Sequence, residues 1–127
     1  MNRQFSLHYT REEAEALLPQ VQNWLAHLRT KHRRMEKLGG QISQLAAGDQ
    51  DCGGPTVNIY YELVADSQAL LAEFRRRQIV VKDVDRGLID FPAIRGGREV
   101  FLCWEDGEDA IEFWHELDAG YAGRERL

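Results

Sequence analysis

The spacing of apolar residues changes once along this chain, near Gln78, and no other feature constrains the fold as tightly. Before that point, apolar side chains recur every seven positions at Ala14, Val21, Leu28, Met35 and Ile42. A second row holds Leu17, Trp24, Leu38 and Leu45, with Lys31 its one polar member. Leu18, Leu25 and Ala46 widen the stripe to the face of a helix that packs on a core. After Gln78 the period falls to two. Residues 79–82, 88–94, 98–105 and 110–117 read as strands separated by Asp85-Arg86-Gly87, Arg95-Gly96-Gly97 and Asp106-Gly107. Short turns of this kind pair neighbouring strands antiparallel. The fold class is therefore α+β: a long antiparallel, coiled-coil-like helical hairpin over residues 10–78, then a small antiparallel meander of three or four strands over residues 79–127. A chain of 127 residues with 43% hydrophobic content suits one domain.

Local signals place the ends of these elements. Phe5, Leu7 and Tyr9 alternate with Ser6 and His8, the pattern of a short strand. Thr10 and Glu13 have capping-box spacing, so a helix should begin at Arg11. Pro19 predicts a kink near residues 15–18, and Gly39-Gly40 marks a second weak point. The segment 48–55, GDQDCGGP, reads as the turn of the hairpin. Val57, Tyr60, Val64, Leu71 and Phe74 form the apolar face of a second helix that ends in Arg75-Arg76-Arg77, where positive charge suits the helix dipole. A first helix of nearly forty residues would reach roughly 55 Å at 1.5 Å per residue, more than a compact domain of this size spans. Self-association, most simply as a homodimer, would bury its far end. The third strand, REVFLCWE, is apolar on both faces and should be central, with the helices on one side and a partner or the C-terminal tail on the other.

Charge and cysteine usage narrow the classes of function. Residues 1–82 hold 11 Lys/Arg against 9 Asp/Glu, whereas residues 83–127 hold 5 against 12. The acidic second part argues against nucleic acid on the sheet, because phosphate contacts need a positive surface. An anionic partner would meet Arg29, Lys31, Arg33, Arg34 and Lys37 on the first helix and Arg75 to Arg77 on the second. Cys52 and Cys103 lie far apart without C-x-x-C spacing, so neither a disulfide framework nor a zinc ribbon is written here. With no export signal and no membrane span in the pattern, a reducing cytoplasm is the expected setting.

Reactive side chains crowd the last forty residues. Asp90, Cys103, Glu108, His115, Asp118 and Arg124 lie there, interleaved with Trp104 and Trp114. The segment GLIDFP…GREVFLCWEDGEDAIEFWHELDAGYAGR, together with the opening YTREEAEALLP, resembles a bacterial family catalogued as domain of unknown function 2203. Asp90, Phe91, Pro92, Gly97, Arg98, Cys103, Trp104, Gly107, Glu108, Trp114, His115, Gly120, Gly123 and Arg124 match that family's pattern. The resemblance implies no particular activity.

Strand parity decides which of these groups share a face. A two-residue turn at Asp106-Gly107 puts Cys103 and His115 on opposite faces. A three-residue turn puts them on one face, with Cys103 opposite Ile111 and His115 opposite Glu99. In neither register do thiol and imidazole meet through the hairpin alone, so a site must recruit His115 with Asp90, Glu108 or Asp118. Asp90, in a strand between Ile89 and Phe91, is expected to accept hydrogen bonds from Arg98 or Arg124, or from a tight turn. Cys103 reads as a small core residue, Trp104 and Trp114 as core or interface aromatics, and His115 as a hydrogen-bonded edge residue.

Three functions are compatible with this reading. The leading one is a non-catalytic interaction protein that self-associates through its helices or its two-faced sheet. The second is a small metal-binding protein or metal-dependent hydrolase in which His115, Asp90, Glu108 or Asp118, with Cys103 as a further candidate, hold zinc or iron. Arg98, Arg124, Trp104 and Trp114 are the candidate binding residues. The third is phosphate or nucleic-acid binding along the basic helices.

Overall fold

The computed structural model describes residues 2–48 and 54–127. Helix α1 (Arg11–Ala47) and helix α2 (Pro55–Arg76) precede strands β1 (Val80–Asp83), β2 (Leu88–Arg95), β3 (Arg98–Glu105), β4 (Phe113–Glu116) and β5 (Glu125–Arg126). The strands form one antiparallel sheet in chain order, β1-β2-β3-β4-β5. Most of the hairpin turn expected at 48–55, with Cys52, lies outside the described residues.

α1 begins where the capping box places it. Thr10 Oγ1 accepts from Glu13 N–H at 3.1 Å, and Glu13 Oε1 accepts from Thr10 N–H at 2.9 Å. The helix runs unbroken through Pro19 and through Gly39-Gly40. Ala14, Leu18, Val21, Trp24, Leu25 and Leu28 form its buried face. They pack with Phe74 and Ile79 on the inner sheet face, made by Ile89, Phe91, Ala93, Val100, Leu102 and Trp104. Beyond Leu28 no described residue of α1 is fully buried, so the hairpin continues past the core as a two-helix arm.

The β2–β3 turn follows its sequence signal closely. Arg95 pairs with Arg98 across Gly96-Gly97, and both glycines have positive φ, 58° and 78°, as a two-residue hairpin turn requires. β3 is the middle strand, as its two apolar faces require. The chain's own segments lie on its second face: Phe5 meets Phe101 with ring centroids 5.4 Å apart, and Arg124 from the C-terminal tail lies over Phe113 at 3.9 Å.

Residues 5–9 do not form a strand. Only Tyr9 N–H bonds to the sheet, donating to Pro92 O at 2.7 Å. The donors of residues 4–7 go to side chains. Glu99 accepts from Gln4 N–H and Phe5 N–H at 2.7 and 2.9 Å, and Gln78 Oε1 accepts from Ser6 N–H and Leu7 N–H at 2.9 and 3.1 Å. Gln78 does this from a left-handed backbone, φ 56°, which lets the chain leave α2 and turn into β1.

The β3–β4 connection departs from both turns considered above. Glu108 N–H does bond to Glu105 O at 3.0 Å, closing a tight turn, but pairing resumes only at Phe113. The intervening polar groups bond elsewhere. Glu108 O accepts from Trp104 Nε1–H at 2.9 Å, and Ile111 N–H donates to Glu15 Oε1 of α1 at 3.2 Å. Relative to the three-residue turn the register shifts by two residues, so Cys103 faces Phe113 and Phe101 faces His115.

Candidate metal centre

The register fixes which side chains meet. Residues directly opposite in a ladder share a face, so Asp90, Cys103 and Phe113 form one cross-strand row and Pro92, Phe101 and His115 the next. Both rows lie on the face away from the helices. Asp90 and His115 stand two strands apart, roughly 9–10 Å between backbones, and meet above β3 over the short Cys103 side chain. His115 Nε2 lies 3.0 Å from each Asp90 oxygen. Donor atoms of Asp90, Cys103 and His115 all fall within 4.8 Å of one another, and each residue is 1% exposed. The thiol and the imidazole therefore do come together, contrary to expectation, because the longer loop moves His115 beside Phe101. The His115 side chain is buried and hydrogen-bonded, although β5 pairs only with Phe113 and Trp114 and leaves β4 outermost at this residue.

Proton positions follow from the partners. A carbonyl oxygen only accepts, so His115 Nδ1 must donate its hydrogen to Glu116 O at 2.7 Å. Nε2 then points a lone pair at a carboxylate that also carries only lone pairs. A contact of 3.0 Å between them requires a cation in between, either one proton shared by the pair or a metal ion. Burial pushes the Asp90 carboxyl above its ordinary range, while the charge and hydrogen bond of His115 pull it back. Burial, reinforced by the charge of Asp90, drives the Cys103 thiol up to about 12, with Arg124 opposing the rise. Left to itself, Cys103 is a protonated thiol beside Asp90 and is no nucleophile.

Neither arginine expected at Asp90 reaches it as its partner. Arg98 pairs with Glu116 at 2.8 Å, across the β3–β4 ladder. Arg124 makes a two-pronged contact with Glu108, at 3.1 and 2.8 Å, and stacks on Phe113 and Tyr121. Glu108 also accepts from Glu105 N–H at 2.7 Å. That carboxylate is thus committed to closing the loop and neutralising Arg124, which in turn flanks Cys103. Asp118 is exposed in the turn after β4 and stands apart from the cluster. Trp104 is fully buried in the helix-facing core, and Trp114 packs against that core beneath Arg95. Glu99 is a polar anchor that the sequence reading passed over: it also bonds His8 Nε2 at 2.8 Å. Nothing local in Arg98-Glu99-Val100 signals that role, because its partners lie more than ninety residues away.

The pattern of uncharacterized conserved proteins known as DUF2203 matches residues 8–127. The chain belongs to that family. No curated protein and no solved structure matches it. In this DUF2203 member the reactive motif residues Asp90, Cys103, His115, Glu108 and Arg124 fall into two linked assemblies. Asp90, Cys103 and His115 form the buried cluster, while Glu108 and Arg124 form the ion pair that closes one flank. No helix among the described residues is long and apolar enough to cross a membrane.

Proposed function

We propose that this protein binds a divalent transition metal, zinc above all, through Asp90 Oδ, Cys103 Sγ and His115 Nε2. The observation that carries this reading is the convergence of three donor types in a buried space with the His115 ring already oriented. Its Nδ1–H is held by a backbone carbonyl, the outer contact that presents Nε2 to a metal. Thiolate, imidazole and carboxylate together suit zinc.

Charge balance supports the same reading. A divalent cation would replace the proton shared by Asp90 and His115 and the thiol proton of Cys103. Two positive charges leave and two arrive, so the buried cluster stays neutral beside a neutral Arg124–Glu108 pair. Three protein ligands leave a fourth position to water, the ligand count of catalytic zinc sites; the 1% exposure of each ligand closes that position to substrate, which favours a structural role over hydrolysis. Elemental analysis of untagged protein purified without chelator tests the proposal. About one metal per chain is expected. Cobalt loading should add a near-ultraviolet sulfur-to-metal charge-transfer band, and Cys103→Ser should remove it. Metal well below one per chain, with no uptake of added zinc or cobalt, would overturn it.

A second reading, self-association in a cytoplasmic setting, rests on the two-helix arm. Met35, Leu38, Ile42 and Leu45 remain half-exposed there, and Tyr61 on α2 is 66% exposed. A second arm laid across them would bury both rows. Light scattering checks this: a dimer has twice the 14.6 kDa chain mass, and Tyr61→Glu should return it to monomer. A monomer at high micromolar concentration removes this reading and leaves the metal site untouched.

A further inference from the structure

The edge of the sheet carries a second feature, independent of the buried cluster. Between the last turns of α2 and strand β1 lies an open cavity of about 470 Å³, walled by Leu71, Phe74, Val80, Val81 and, from the N-terminal segment, Phe5. That volume falls within the range of small-molecule pockets, about 300–1,000 Å³. Two polar side chains border it, Arg75 and Gln78. The Gln78 amide is already engaged, accepting from Ser6 N–H and Leu7 N–H and donating to Ser6 Oγ at 2.6 Å. Arg75 differs from its neighbours. Arg76 and Arg77 share Glu73, whereas Arg75 is exposed and makes no ion pair among the described residues.

We infer that this cavity binds a small amphipathic monocarboxylate, its alkyl chain against the apolar walls and its carboxylate on Arg75. Charge complementarity selects this occupant. A neutral hydrocarbon would leave the guanidinium unused, and a short anion such as acetate would leave the walls in water. The neighbouring β1 backbone is an unattractive alternative for an added peptide strand. Its register is interrupted between Val81 and Asp83, and the exposed Lys82 sits within it, both features that discourage edge pairing.

Methyl-resolved NMR of the full chain, titrated with decanoate below its micellar concentration, tests the inference. Saturable shifts confined to Leu71, Ile79, Val80 and Val81 are expected, with none from acetate. Arg75→Gln should weaken decanoate about three- to fivefold, the upper part of what an exposed ion pair contributes. It should leave decanol binding unchanged, and Arg76→Gln should change neither. Leu71→Trp, which fills the cavity, should abolish binding of both. Decanoate affinity that ignores Arg75→Gln, or shifts that scatter over the molecule without saturating, would overturn the proposal. Neither result bears on metal content, so this inference and the metal reading fail separately.

Discussion

Replacing Asp90 by alanine isolates the energetics of the buried pair from those of any metal, provided unfolding is followed with a chelator present. In the alanine variant His115 keeps its hydrogen bond to Glu116 O but loses the partner of Nε2, in a position only 1% exposed. Removing one member of a buried ionic or hydrogen-bonded pair costs about 3–5 kcal/mol, because the surviving group stays desolvated without compensation. Unfolding entropy near the melting point is about 2.1 cal/mol/K per residue, or roughly 0.27 kcal/mol/K for this chain. The melting temperature should therefore fall by about 11–19 °C. Asp90→Asn provides the control. Its amide can donate to the Nε2 lone pair, so the loss should stay within about 1.5 kcal/mol. Urea and thermal unfolding at neutral pH measure both. Adding zinc should then raise the wild-type melting temperature and leave the asparagine variant, whose amide is a poor ligand, nearly unmoved. If alanine and asparagine variants both unfold within 1 kcal/mol of wild type, the shared-cation argument is wrong and the cluster is mere packing.

Other expectations are more local. Gly87 has φ 67°, and a Cβ there would sit 2.5 Å from Asp106 Cβ and 2.6 Å from an Arg29 nitrogen; Gly87→Ala should cost about 2–4 kcal/mol in urea unfolding, whereas Gly40→Ala, which meets nothing within 4 Å, should stabilise. In a Cys52→Ser background, the buried Cys103 thiol, with its pKa near 12, should resist iodoacetamide at pH 8 until the chain is unfolded; rapid labelling of folded protein would contradict its assigned environment. Burial pulls the Glu99 carboxyl up, but hydrogen bonds from His8, Gln4 and Phe5 outweigh that and hold it below 4.5. The stability it lends is complete above its unfolded value and disappears as pH falls through the lower folded one. Amide exchange at Gln4 and Phe5, corrected for intrinsic rates, should therefore accelerate only below about pH 4.5, and Glu99→Gln should lose that dependence.

Legibility in the sequence followed the range of the interactions involved. Thr10 and Glu13 announce the start of α1 because both partners lie within one turn. Gly96-Gly97 announces the β2–β3 hairpin because the turn itself demands positive φ. Phe5, Leu7 and Tyr9 alternate like a strand, yet the donors of residues 4–7 are claimed by Glu99 and Gln78. Alternation reports which side chains are covered, and it cannot report where the backbone donors go. Asp90 stands out as an aspartate inside a strand and His115 as a candidate ligand, but their pairing depends on the length of a loop whose hydrogen bonds go to Glu15, Trp104 and Arg124.

From residue order alone come two amphipathic helices, then a meander with β3 at its centre, and the crowding of acids, imidazole and thiol near the C-terminus. These follow from periodicities and caps that operate within a turn or two of chain. Only the folded molecule decides that Asp90, Cys103 and His115 touch, that Glu108 serves Arg124, and that Arg75 stands beside an apolar hollow. Each depends on strand register or helix docking, where a displacement of one or two residues exchanges faces or partners while the local pattern stays the same.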